Sequence, residues 1–209
     1  MTTPSVPHYW SQACRALSRR DPVLKGLIKQ YKDVRLKSRG TAFETLLRAI
    51  VGQQISVKAA QAVWAKFEKQ VGGVSVARVL TQTPQQLRSC GLSRQKTEYI
   101  LDLAQHFETK QINPRSFRSM GDDDLIARLC EVRGIGQWTA EMFLIFQLQR
   151  ADIYPLQDIG LIRAVEKHYL DGQEAEKSQI IAIGEAWKPW RTVATWYLWR
   201  SLDPFPVEY

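Results

Sequence analysis

The 209-residue chain holds only three cysteines, Cys14, Cys90 and Cys130, an odd number set far apart with no C-x-x-C pair. Such spacing builds no disulfide framework, no zinc cage and no iron–sulfur ligand run, so all three are expected to be reduced thiols used in packing. Histidine is equally scarce: His8, His106 and His168 stand in no metal-ligand spacing and are expected at the surface or at satisfied polar positions. No uncharged apolar run reaches the ~18 residues of a spanning helix, and the opening MTTPSVPHYWSQACRALSRR lacks a charged segment leading into an apolar one. A soluble, cytoplasmic protein with no membrane partner is therefore expected. Convincing period-two strands are missing, as are low-complexity tracts, long linkers and internal repeats, which argues against a sheet protein or a solenoid.

What the chain does have is helix periodicity and positive charge. The 44% apolar content is that of an ordinary globular protein. Net charge is +8, from 29 Lys and Arg against 21 Asp and Glu, which favours a polyanionic partner by long-range attraction. In TAFETLLRAIVGQQISVKAAQAVWAKFEKQ, apolar residues at 43, 46, 47, 50 and 51, then at 59, 60, 63, 64 and 67, describe two helices joined between Gly52 and Ser56. Thr83 and Pro84 open a short helix, TEYILDLAQHF continues in helical period, and GDDDLIARLCEV begins with acidic residues that suit a helix N-terminus. After the break at RGIG, residues 138–148 are apolar on nearly every side and are expected to form a buried helix. Three further helices are expected over 159–169, 174–187 and 190–202. The fold class that follows is all-α.

Two stretches carry chemistry. In EVRGIGQWTAEMF, Gly134 and Gly136 let the backbone take positive φ and leave no Cβ in the way of a ligand, while Ile135 can turn inward to secure the turn. The helix start that follows offers N–H groups and a positive dipole end to a phosphate against residues 134–138. Simple closure of a helical hairpin accounts for the same glycines. Twenty positions after Trp138, Asp158 stands in YPLQDIGLIRAVEKHY, behind Pro155 and ahead of a helix, where it can serve as an N-cap. Capping does not exclude chemistry, because helix-start N–H groups suit an anionic carboxylate, and such a group can stabilise a developing positive charge. Trp187, Trp190, Trp196 and Trp199 form a stripe at helical spacing, by default a core feature.

The segment LCEVRGIGQWTAEMFLIF resembles the helix-hairpin-helix of the HhH-GPD DNA glycosylase superfamily. With PLQDIGLIR, AIVGQQISVKAA and WKPWR it is similar to the DNA-3-methyladenine glycosylase II branch, over roughly residues 41–202. The resemblance implies a two-lobed fold with the active site in the interlobe cleft. Residues 41–150 would form a middle lobe carrying the hairpin (about 121–148), and residues 1–40 plus 151–209 a second lobe carrying the catalytic aspartate. It implies catalysis by Asp158, a base pocket of Trp138, Trp199 and Met142, and phosphate contacts from the backbone of Gly134, Ile135 and Gly136. Gln54, preceded by Gln53, would be the wedge that fills the gap left by a flipped base. The larger bacterial relative has an apolar wedge there, and a polar helix-end pair bonding the turn backbone is the other reading of these glutamines. Met142 is equally explained by core packing.

Superfamily members that cut the strand carry a nucleophilic lysine at the head of the second hairpin helix, where this chain has Trp138. The expected activity is therefore that of a monofunctional glycosylase without AP lyase activity, removing 3-methyladenine and 7-methylguanine from damaged double-stranded DNA as a monomer. No cofactor is expected, although a monovalent cation at the hairpin backbone is implied by relatives. Two alternatives stay open: the same fold acting on a deaminated purine or uracil, and a non-catalytic DNA-binding module. Lys58, Arg133, Arg163, Lys188, Arg191 and Arg200 lie near these motifs, with no individual role assigned.

Overall fold

The computed structural model describes residues 6–38 and 40–203, and no β-strand occurs among them. The helices are α1 (Trp10–Arg20), α2 (Pro22–Gln30), α3 (Ala42–Gly52), α4 (Val57–Val71), α5 (Val76–Leu80), α6 (Pro84–Ser89), α7 (Arg94–Glu108), α8 (Asp122–Cys130), α9 (Gln137–Phe146), α10 (Ile159–Tyr169), α11 (Lys177–Glu185) and α12 (Arg191–Leu202), with a 3-10 turn at Phe117–Ser119. Their starts are written in side-chain acceptors: Thr41, Ser56, Ser75, Thr83 and Ser93 each take a backbone N–H three residues on. Thr83 and Gln86 complete a capping box with Pro84 at the first helical position.

Two expected boundaries move. Helix α9 stops at Phe146, short of residue 148, and Gln149 turns the chain with φ 54°. Helix α11 begins only at Lys177, where the Glu176 N–H donates to Gln179 Oε1 at 2.9 Å, and ends before the Trp187–Trp190 turn.

By their contacts the described residues form two compact units, Gly40–Phe143 and residues 6–38 with 144–203. The chain passes from one to the other inside α9, after Phe143 and not at residue 150. In the first unit α7 packs against α3, α5 and α6. Leu46, Leu47 and Ile50 of α3, Phe67 of α4 and Ile100 and Leu103 of α7 are fully buried there. No helix of the described residues is long and apolar enough to cross a membrane. The thiols are free, but Cys130 is exposed, so packing describes only Cys90 and in part Cys14.

In the second unit α12 packs against α1, α2 and α10. Asp21, 8% exposed, ties this unit together: it caps α2 through Leu24 N (2.9 Å) and accepts from Trp187 Nε1 (2.9 Å) and the Tyr169 hydroxyl (2.8 Å). Burial, and then the Asp21 charge, push the Tyr169 hydroxyl far above its ordinary range, so it remains a donor. Asp21→Ala would strand the buried Trp187 donor and the part-buried Tyr169 hydroxyl, and uncap α2. We expect a loss of about 3–5 kcal/mol in denaturant unfolding, from about 1–2 kcal/mol per stranded group and about 1 kcal/mol for the cap. A loss under about 1 kcal/mol would show that surrounding packing, not this carboxylate, holds the unit.

Candidate DNA-binding hairpin and catalytic carboxylate

In the first unit the hairpin is α8, the turn 131–136 and α9. Its two glycines do different work, which corrects the expectation that both relax the backbone. Only Gly134 has a positive φ, +86°, and a Cβ there would fall inside the Tyr99 ring of α7. Gly134 is thus needed for conformation and for close packing at once. Gly136 has an ordinary φ, and a Cβ on it would meet nothing within 4 Å. Its carbonyl accepts Ala140 N (3.0 Å), so it stands at the head of α9 with its side-chain direction open. Ile135 is 4% exposed, turned inward as expected. Gly136 and Gln137 are exposed at a helix start, where N–H groups and the positive dipole end suit an anion.

Trp138, at the head of α9, is 39% exposed, an unusual setting for so large a ring. Met142, one turn on, is 5% exposed, so the packing reading describes it better than the pocket reading.

The turn between α3 and α4 separates the two glutamines. Gln54 is exposed and left-handed, with φ 58°, rare for a residue with a Cβ. Gln53 is committed elsewhere: its Nε2 donates to Gly134 O at 2.7 Å, a bond to the distant hairpin and not, as the helix-end alternative had it, to the backbone of its own turn. Ile55 and Val57 beside Gln54 are 40% and 69% exposed, so apolar surface flanks a polar tip. Sequence reasoning missed what holds these parts. Along one face of α7, Lys96 Nζ donates to Val51 O (2.8 Å) and Gln53 O (2.6 Å), Tyr99 packs on Gly134, and Asp102 Oδ2 accepts Arg133 N (2.9 Å). The spacing 96, 99, 102 was visible, but its targets were not.

In the second unit Asp158 is the N-cap of α10. Its Oδ1 accepts Leu161 N at 2.7 Å and Trp199 Nε1 at 2.8 Å, so the cap and an oriented carboxylate coexist in one side chain. Trp199 is also stacked on Phe146, with ring centroids 5.9 Å apart and planes 6° from parallel. Phe146 covers one face of this indole, which leaves at most the other face for the expected base stacking. A Cβ on Gly160 would lie 3.1 Å from Asp158 Oδ1 and 3.2 Å from Trp199 Cδ1, so the glycine gives the pair its room. Trp187 and Trp196 are buried as expected, and Trp190 is half-buried against Tyr9.

Several basic residues turn out to serve the fold. Arg191 grips Asp152 through Nε (2.9 Å) and Nη2 (2.8 Å), and Lys188 meets Glu185 at 2.8 Å. Arg133 Nε lies 3.2 Å from Asp102, and Arg200, 3% exposed, sits 4.7 Å over the Trp196 ring. Lys58 and Arg163 are exposed. His168 Nε2 meets Ser201 Oγ (2.8 Å) and His106 Nδ1 meets Asp102 O (2.8 Å), both satisfied polar positions, while His8 is exposed. Among the described residues no group of three or more His, Cys, Asp or Glu could hold a metal ion.

Comparison with known proteins converges on one lineage. The family model described as HhH-GPD superfamily base excision DNA repair protein matches residues 47–191. The crystal structure of a DNA-3-methyladenine glycosidase from Bacillus halodurans is 32% identical with a TM-score of 0.86, over 100% of this chain and 96% of that one. Schizosaccharomyces pombe 3-methyladenine DNA glycosylase in complex with abasic DNA is 27% identical with a TM-score of 0.75, over 94% and 100%. A Bacillus subtilis protein named DNA-3-methyladenine glycosylase is 27% identical over 198 residues, 89% of this chain. The chain spans 60% and 65% of the length of the two Bacillus subtilis relatives it matches. With a helical hairpin, an aspartate-capped helix later in the sequence and a matching family model over most of its length, this chain belongs to the HhH-GPD superfamily of base excision DNA repair proteins.

Proposed function

We propose that the protein is a monofunctional DNA glycosylase that removes alkylated purines, chiefly 3-methyladenine and also 7-methylguanine, from double-stranded DNA. The observation that carries this is Asp158, whose Oδ1 is held by two N–H donors, Leu161 N and Trp199 Nε1. The lesion class rests on the names of the relatives. Alkylation at a ring nitrogen makes the purine cationic, so it leaves as a neutral base without help from a general acid. As the C1′–N bond breaks, positive charge grows on the sugar and Asp158 stabilises it. A water molecule, oriented or deprotonated by the same carboxylate, forms the new C1′–O bond. The backbone around Gly136 takes a DNA phosphate, Gln54 occupies the space of the flipped nucleotide, and the exposed Trp138 offers a π-face worth about 0.5–2 kcal/mol to a cationic base.

An indole has no amine with which to form a Schiff base, so Trp138 at the head of α9 supports base release without strand cleavage. A monovalent cation at the hairpin would be held by main-chain carbonyls, and that of Gly134 is already engaged by Gln53. We read the protein as acting as a monomer.

Mass identification of bases released from methylated DNA tests the assignment. Expected are 3-methyladenine and 7-methylguanine, an intact abasic strand and no borohydride-trapped covalent complex. Release of hypoxanthine or uracil alone would transfer the fold to deaminated bases, and no release from folded protein would leave a DNA-binding module.

A further inference from the structure

We propose that Lys96 is a positioning residue for base extrusion: its ammonium group holds the α3–α4 turn in the left-handed conformation that presents Gln54. This inference rests on the glycosylase reading above and on Gln54 as the wedge.

At the end of α3 the last carbonyls have no helical N–H to accept from. Lys96 Nζ takes the place of the missing donors, bonding Val51 O at 2.8 Å and Gln53 O at 2.6 Å. A cation there also suits the negative end of the α3 dipole. The two acceptors lie three and one residues ahead of Gln54, whose φ of 58° is the conformation an unrestrained residue with a Cβ avoids. Downstream, Ser56 Oγ accepts Ala59 N at 3.3 Å and starts α4, so the turn is clamped on both sides with Gln54 and the 40%-exposed Ile55 between the clamps. Burial lowers the pKa of Lys96, in keeping with an ammonium taken from water into these carbonyls.

The same helix face reaches the hairpin. Tyr99 packs on Gly134 and Asp102 accepts Arg133 N at 2.9 Å, while Gln53 Nε2 closes the circuit on Gly134 O at 2.7 Å. Lys96, Tyr99 and Asp102 follow one another at helical spacing on a single 15-residue helix. Helix α7 therefore fixes the wedge turn relative to the phosphate-binding turn. A wedge registered in this way pushes against a duplex whose backbone is held, and this matters only when the lesion is stacked and paired.

The test is the ratio of base-release rates from two duplexes, one with 3-methyladenine opposite thymine and one with it opposite an abasic analogue. For Lys96→Met the ratio is expected to fall about tenfold against wild type. Gln54→Ala should lower it similarly, and the double variant should be no worse than the more impaired single, because both act through one wedge. Lys96→Arg, which retains charge and donors, should recover part of the ratio. Equal slowing on both duplexes, or additive losses in the double variant, would overturn the proposal and make Lys96 a plain structural tie. An unchanged ratio in Lys96→Met would overturn it too. Release of no base by the wild type would instead bring down the glycosylase reading, and this inference with it.

Discussion

Asp158→Asn is expected to lower base release by about a thousandfold while sparing the fold and DNA binding. The substitution is selective because of the local geometry. The bonds that Leu161 N and Trp199 Nε1 donate to Asp158 end on Oδ1, and an asparagine carbonyl oxygen can accept them as well. The α10 cap and the Trp199 orientation therefore survive, and what disappears is the negative charge. Stability should change by under ~1 kcal/mol, a melting shift of about 2–4 °C at most. Affinity for DNA should hold or rise slightly, since a carboxylate is removed from the neighbourhood of phosphates. Undiminished excision by a folded Asp158→Asn would remove Asp158 from the chemistry and leave it as a cap. A large fall in melting temperature would mean that the charge serves the fold as well.

The hairpin glycines provide the second large effect, and it divides between stability and binding. Gly134→Ala puts a methyl inside the Tyr99 ring and a Cβ on a backbone with φ +86°. Overpacking costs about 1–3 kcal/mol and the left-handed backbone about 1–2 kcal/mol, so a loss of roughly 3–4 kcal/mol is expected. That corresponds to a melting drop on the order of 10 °C. Adding Tyr99→Ala should restore part of it by removing the overlap. Gly136→Ala should melt like wild type, because its added methyl meets nothing within 4 Å. The methyl would nevertheless stand at the α9 start, and binding to undamaged duplex should weaken by about tenfold, a cost near 1.4 kcal/mol. If Gly136→Ala bound DNA like wild type, the phosphate seat at this turn would be refuted. If Gly134→Ala were as stable as wild type, the Tyr99 packing would not be what keeps a glycine at that position.

Much of the local structure was legible in the residues. Helix starts were readable because Thr83 or Asp158 satisfies N–H groups only a few positions away, and that chemistry needs no tertiary partner. The burial of most of α9 and of Trp196 followed from periodicity, which encodes a burial face directly, and the inward Ile135 from its place between two glycines, whereas Trp187 is buried from a turn that no helix period describes. Residue 150 misjudged the division between units because periodicity says that α9 is buried without saying in which core. Gly136 was misjudged because the residue type permits positive φ and does not demand it. Gln53 and Gln54, adjacent and identical in type, could be separated only by their partners: one donates to a carbonyl 81 positions away, and the other points from a strained turn.

What the sequence by itself determined is therefore short-range and compositional: an all-α chain of positive charge, its caps, its hairpin turn and a candidate carboxylate placed at a helix start. The tertiary structure alone decided how those parts are held. Trp187 finds Asp21 across 166 positions, Lys96 finds the end of α3, and Trp199 lies between Phe146 and Asp158. The reason is physical. A cap is satisfied within one turn of its own chain, whereas a buried donor takes whichever acceptor the packed core brings to it, and that choice has no local signature.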